Sequence, residues 1–300
     1  MSAPWKGVFP AVTTKFNEDL SLDIPGMERH FAMQIEAGVH GIVVTGTLGE
    51  NASLSTDEKQ EVLKIAVSVS GGRVPVLAGV AENTTAQACR TVEKATRNGA
   101  DGFLLLPAMM YPSDSRETLT HFRTVARVSD LPIMIYNNPL AYKVDVTPEM
   151  FAELADEPAF VALKESSDDP RRITDIINAV GDRYQIFTGV DNLALESLML
   201  GAVGWVAGLV VAFPRETVAI YNLARAGRYE EAREIYRWFM PMLHLDVSTK
   251  LVQNIKLAES IAGVGTETVR PPRLSLVGEE RAHVVHVVEE ALRTRPKLPE

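Results

Sequence analysis

The chain has 300 residues, 46% of them hydrophobic, enough for the core of one large domain or of one domain with an appendage. A net charge of −9 argues against a nucleic-acid binder, which would show a basic face, and disfavours docking on an anionic membrane. The single cysteine, Cys89, forms neither an internal disulfide nor a zinc cluster, and the first six residues lack the apolar core of a signal peptide, so a cytoplasmic location is expected.

Along the chain, short apolar runs rich in β-branched residues predict strands at 7–13, 41–45, 75–79, 102–106, 132–136, 160–164, 184–188 and 204–207. Amphipathic stretches between them predict helices at 25–37, 56–69, 84–98, 115–128, 148–156, 170–180 and 192–200. Several open on start signals: Ser55-Thr56-Asp57-Glu58 is a capping-box pattern, and Pro148 sits at a first helical position. The stretch 198–214 carries no charge, but it is short for a membrane span and is interrupted by Gly201, Gly204 and Gly208. A helix end followed by a buried strand accounts for it.

Alternating strands and helices imply parallel strands with right-handed crossovers, and eight such units predict an α/β fold, a closed (β/α)8 TIM barrel. The competing open, doubly wound sheet would more often carry a glycine fingerprint after its first strand, where this chain has Pro10-Ala11-Val12-Thr13-Thr14. Beyond about residue 213 the strand signals stop, and helices are predicted at 216–226, 229–242, 249–261 and 279–294. The expected division is a catalytic barrel at 1–226 and a C-terminal helical extension at 227–300.

In such a barrel the polar groups that follow each strand build the site. Strand two runs into Gly46-Thr47-Leu48-Gly49-Glu50-Asn51, a loop able to turn backbone N–H groups and the Thr47 hydroxyl onto a carboxylate, or simply to make a tight turn. Strand four is followed by an apolar loop with Met109 and Met110, a pocket wall or an oligomer contact. Strand five ends in Tyr136-Asn137-Asn138-Pro139. Tyr136 is either a packing aromatic or, with a polarising neighbour, a proton carrier. Strand seven brings Asp191, an acceptor for a substrate hydroxyl or a helix cap. Strand eight brings Gly204-Trp205-Val206-Ala207-Gly208, where backbone can approach a ligand.

The most telling residue is Lys164, at the end of the apolar run Phe160-Val161-Ala162-Leu163. Burial penalises its ammonium form, and a neutral amine in a closed pocket attacks carbonyl carbon. The alternative is a strand-end lysine that reaches solvent or pairs with Glu165. The six histidines show no metal-ligand spacing on a shared helix face, and no zinc-protease motif, phosphate loop or nucleophile-elbow serine is present. Neither a metal nor an organic cofactor is expected.

Together, Gly46-Thr47-Leu48-Gly49-Glu50, Tyr136-Asn137-Asn138-Pro139, Leu163-Lys164-Glu165-Ser166 and Gly189-Val190-Asp191 resemble the dihydrodipicolinate synthase / N-acetylneuraminate lyase family of class I Schiff-base barrels. The resemblance covers nearly the whole chain. It implies a barrel with a C-terminal helical extension, commonly a homotetramer. It also implies Lys164 as the imine-forming lysine toward a 2-oxo acid, Tyr136 as proton shuttle, and Thr47 holding the carboxylate and polarising Tyr136. Gly46, Leu48, Asn138, Asp191 and Val206 are the further candidates for the pocket.

Three departures bear on the substrate. Leu48 replaces a second hydroxyl residue. No arginine stands two residues beyond Pro139, where Ala141 is found. Ala108-Met109-Met110 replaces a tyrosine-bearing loop. On these grounds dihydrodipicolinate synthesis is disfavoured. A weaker resemblance points to the branch that deaminates 1-pyrroline-4-hydroxy-2-carboxylate in hydroxyproline breakdown, with hydrolysis to 2,5-dioxopentanoate and ammonia. An aldolase or dehydratase of a short 2-oxo-3-deoxy acid is the enzymatic alternative, and a barrel that binds a small oxo acid without turnover is the non-enzymatic one.

Overall fold

The computed structural model describes residues 5–108 and 111–299, so Met109 and Met110 lie outside the described residues. Eight parallel strands alternate with helices. The strands are β1 (Gly7–Pro10), β2 (Ile42–Val44), β3 (Val76–Val80), β4 (Gly102–Leu105), β5 (Ile133–Asn137), β6 (Phe160–Glu165), β7 (Gln185–Thr188) and β8 (Gly204–Ala207). Each neighbour pairs in parallel, β1 lies beside β8, and an Ala11–Val43 bridge joins the β1 and β2 ends, closing a TIM barrel.

The helices of the barrel are α1 (Ile24–Glu36), α2 (Thr56–Ser70), α3 (Thr85–Arg97), α4 (Ser115–Ala126), α5 (Pro139–Tyr142), α6 (Pro148–Glu153), α7 (Arg171–Val180), α8 (Ala194–Met199) and α9 (Pro214–Arg225). The start signals in the sequence are used as such. Ser55 and Glu58 form a reciprocal capping box on α2, Asp114 and Glu117 form another on α4, and Thr147 caps α6 ahead of Pro148. Helix α5 was not predicted; it is a single turn after β5, capped by Asn138 and ended by Lys143 in the left-handed region.

Strand parity sorts the core into two layers. Phe9, Val43, Leu77, Leu104, Met134, Ala162, Phe187 and Val206 fill the barrel, with Trp5 at its N-terminal end. Ile42, Val44, Phe103, Ile133, Ile135, Leu163 and Ile186 face the helices. Beyond α9 come α10 (Tyr229–Leu243), α11 (Leu251–Ile261) and α12 (Gly278–Arg293). Helix α10 packs on α8 and α9, and α11 packs on the turn after β8. The extension therefore reaches the mouth formed by the strand C-termini. No helix among the described residues is long and apolar enough to cross a membrane.

Candidate active site

The β5–β6–β7 register sets Tyr136 beside Lys164 and Lys164 beside Phe187, all on inward-facing positions. Lys164 is 7% exposed, and its Nζ lies 4.0 Å from the centroid of the Tyr136 ring. Burial pushes its ammonium below the ordinary lysine range, against the opposing pull of Tyr142, Asp246 and Asp191. Glu165 is no partner for it, because parity turns that carboxylate to the other face. There it accepts hydrogen bonds from Asn137 Nδ2 (3.0 Å) and Ser167 N (2.6 Å). Of the two readings of this lysine, the strand-end alternative is thus excluded.

Room for the amine comes from the next strand. A Cβ at Gly189 would stand 2.3 Å from Lys164 Cε and 2.2 Å from Ser166 Oγ. Glycine at the end of β7 lets the lysine stem and the Ser166 hydroxyl lie against backbone. The Ser166 oxygen is buried and makes no hydrogen bond among the described residues.

Thr47 and Tyr136 are linked by a residue that sequence reasoning missed. The turn of α5 carries Tyr142 back over the mouth, where its hydroxyl lies 2.5 Å from Thr47 Oγ1. Its ring meets that of Tyr136 edge-on, with centroids 5.6 Å apart, and the two phenols are close enough to perturb each other's ionisation. Burial raises both phenols above the ordinary tyrosine range, so both stay protonated at neutral pH. Asn138 caps α5 through Ala141 N (3.0 Å) and donates to the Tyr136 hydroxyl (3.3 Å). Three hydroxyls, Thr47, Tyr142 and Tyr136, thus run from the strand-two loop to the lysine.

The strand-two loop is held in a conformation few side chains adopt. Thr45 and Glu50 have φ of 53° and 57°. Nothing lies within 4 Å of a Cβ built on Gly46, so the loop leaves open space there. Glu50 is fully buried and is anchored from the extension: Lys256 Nζ is 2.5 Å from one oxygen, and the Arg270 N–H donates to the other at 3.0 Å. Burial draws the Lys256 ammonium down to about 8.

Two candidates are corrected. Asp191 is no free acceptor for a substrate: its carboxylate already takes hydrogen bonds from Trp205 Nε1 (2.9 Å), Gly208 N and Leu209 N (2.8 Å), and so clasps the end of β8. Leu48 does not line the barrel interior; its side chain is buried in the layer between barrel and helices. Val206 does face inward, with Phe9 beside it in register. Asp246, from the α10–α11 connection, was not foreseen either; its carboxyl lies against Gly208, just beyond β8, close enough to Lys164 to affect its ionisation. A separate cavity of about 330 Å³ lies between α1 and residues 263–266. The Lys15 amine on its wall is taken up by Glu259 and Thr13, so the reactive lysine is the one in the mouth.

A (β/α)8 barrel with a buried amine among hydroxyls at its C-terminal mouth defines an aldolase-type lyase scaffold. The family model described as the Dihydrodipicolinate synthetase family matches residues 4–291, and the chain belongs to that family. It is 35% identical over 271 residues to the 4-hydroxy-tetrahydrodipicolinate synthase of Methanospirillum hungatei, covering 89% of this chain and 93% of that protein. It is 33% identical over 285 residues to the enzyme of the same name from Exiguobacterium sibiricum, covering 95% and 96%. The crystal structure of dihydrodipicolinate synthase from Aquifex aeolicus superposes with a TM-score of 0.91 at 29% identity, covering 95% of this chain and 98% of that one.

These relatives overturn the substrate expectation. Dihydrodipicolinate synthesis was disfavoured, and hydroxypyrroline deamination preferred, on three local losses. The relatives found over nearly the whole chain carry the synthase name, and nothing in them supports hydrolysis or hydroxyproline breakdown. One of the three losses is also compensated in space, since Tyr142 supplies a hydroxyl at the mouth that the strand-four loop was expected to lack.

Proposed function

We propose that the chain is a Schiff-base lyase of the type its relatives are named for, a 4-hydroxy-tetrahydrodipicolinate synthase, with Lys164 as nucleophile toward a small 2-oxo acid such as pyruvate. We take 1–226 as the catalytic barrel and 227–300 as the extension that completes its mouth. The observation that carries the reading is the buried Lys164 amine, pushed toward its neutral form and lying over the ring of Tyr136.

The neutral amine attacks the C2 carbonyl of the oxo acid, and the carbinolamine loses water to give an imine. The substrate carboxylate sits against the strand-two loop at Gly46 and Thr47. The imine draws electrons from C3, and a C3 proton leaves to give an enamine. Tyr136 carries protons to and from the reacting atoms, and Tyr142 and Thr47 pass them along the hydroxyl line. The enamine carbon then adds to the carbonyl of a second substrate, and water releases the product from Lys164.

Borohydride reduction in the presence of pyruvate, followed by peptide mass spectrometry, tests this reading. A reduced pyruvyl adduct on Lys164 is expected. Its absence, or its appearance only on other lysines, would overturn the assignment. Incubation with pyruvate and the carbonyl acceptor that gives 4-hydroxy-tetrahydrodipicolinate tests the finer part, and no product would leave the imine chemistry without that reaction.

A further inference from the structure

The cavity of about 330 Å³ between α1 and residues 263–266 shares no lining residue with the mouth around Lys164, so the reaction gives no account of it. Its volume is that of a small-molecule site. Lys15, from the connection between β1 and α1, stands on its wall and is 1% exposed. The Lys15 Nζ donates to Thr13 Oγ1 (2.6 Å) and to Glu259 Oε1 (2.5 Å). An ammonium has three N–H groups, and the third has no acceptor among the described residues. Burial lowers the Lys15 pKa while Glu259 and Asp23 pull it up, so a further anion beside it would offset the cost of keeping the charge.

The loop on the facing wall is anchored, yet leaves two donors over. Gly263 N and Val264 N bond back to Ser260 O (3.1 Å) and Glu259 O (2.9 Å), and Val264 O pairs with His30 Nδ1 at 3.2 Å. The next two N–H groups, of Gly265 and Thr266, have no acceptor among the described residues. A Cβ on Gly265 would stand 3.0 Å from Lys15 Nζ, so glycine keeps the loop clear of the amine. Gly265 is not among the glycines with positive φ; space, not backbone conformation, calls for glycine here.

Arg29 of α1 also lines the cavity; it is exposed and has no carboxylate partner among the described residues. The Asp23 carboxylate accepts from Gly26 N (2.9 Å) and folds over the first turn of α1, where the helix dipole offsets its charge. Glu259 balances Lys15. What remains is the positive charge of Arg29, with spare donors from Lys15, Gly265 and Thr266. A cation would be repelled, and an uncharged apolar guest would leave the donors unmatched. The complement is a carboxylate, whose single charge and two oxygens fit a guanidinium fork. Met33 and Val264 add apolar wall for a short tail.

We propose that this cavity is a binding site for a short-chain monocarboxylate, with its head group held by Arg29, Lys15 and the loop N–H groups and its tail along Met33 and Val264. The site is separate from the Schiff-base chemistry and does not rest on it.

The test is isothermal titration of the full-length chain after borohydride reduction with pyruvate, which blocks the mouth at Lys164. Four probes are compared at constant ionic strength: pentanoate, pentylamine, 1-pentanol and inorganic phosphate. Pentanoate should bind with a Kd of ~1 mM or tighter, and the other three at least tenfold more weakly. Arg29→Ala should weaken pentanoate roughly ten- to a hundredfold, the scale of one hydrogen bond to a charged group. Gly265→Ala, which places a carbon against the Lys15 amine, should weaken it by at least tenfold. Arg29 is exposed, so Arg29→Ala decides the matter even where Gly265→Ala disturbs the fold. No binding of pentanoate overturns the inference. So does equal binding of pentanol or phosphate, or an unchanged affinity in Arg29→Ala. Failure of pyruvate to trap would sink the Schiff-base reading alone, and the same titrations of the untreated chain and its variants would still decide this one.

Discussion

Replacing Gly189 by alanine tests how tightly the amine is placed. Gly189 is not among the residues with positive φ, so its backbone tolerates alanine and the effect is steric. The added carbon would stand 2.3 Å from Lys164 Cε and 2.7 Å from Lys164 Cγ, whereas ordinary contact begins at 3.4 Å. The lysine stem must therefore retreat by about 1.1 Å, the shortfall between 2.3 and 3.4 Å, or β7 must move. Overpacking of this kind costs about 1–3 kcal/mol in stability. A displacement of ~1 Å at the reacting group is enough to cost ~10²-fold in rate. The assay is the rate of pyruvate trapping on Lys164 by borohydride, read beside a thermal unfolding curve. Trapping should slow by roughly two orders of magnitude in a chain that still folds cooperatively. Trapping at the parent rate with an unchanged unfolding curve would refute the claim that glycine is needed to seat this lysine.

Tyr142→Phe removes the middle hydroxyl of the line from Thr47 to Tyr136; kcat should fall ~10²-fold, while borohydride trapping persists, and an unaltered kcat would show that the line carries no protons. Lys256→Met leaves the Glu50 carboxylate buried without its amine, which should cost about 3–5 kcal/mol by denaturant titration and raise the KM for pyruvate through the strand-two loop. His30 is buried against Glu259 and Lys15, and burial depresses its pKa from 6.5 to about 4. Being held neutral in the folded state, it contributes stability in full above pH 6.5 that is lost as pH falls to about 4, because the unfolded chain takes up the proton first. At about 1.36 kcal/mol per unit that is on the order of 3 kcal/mol, and His30→Gln should flatten the stability profile between those limits. A profile of the same slope in the variant would assign the acid sensitivity to other groups.

Much of this was legible in the sequence because the physics is local. Strand and helix periods, together with the capping patterns at Ser55 and Thr147, are carried by neighbouring residues, and the eight-unit barrel follows from them. Lys164 stood out because a cation at the end of an apolar run is costly wherever the chain goes. Tyr142 did not stand out, because α5 is a single turn whose length gives no period to read. Asp246 was hidden for another reason: it comes from the connection between two helices of the extension, and nothing in its neighbourhood marks it as reaching the strand ends. Leu48 and Asp191 were misjudged because the direction of a loop side chain depends on packing from distant segments. Trp205 and Gly208 claim Asp191, while the outer layer claims Leu48. The substrate reading failed for a related reason, since it treated losses at fixed sequence positions as losses in space.

Thr47, Tyr142 and Tyr136 all belong to one polypeptide. Mass action therefore has no hold on the line they form, which contains no bimolecular step. Specific activity measured over a wide range of protein concentrations should stay flat as far as proton movement limits it, whatever assembly the chain adopts. Association of copies is then not needed to bring these three hydroxyls together.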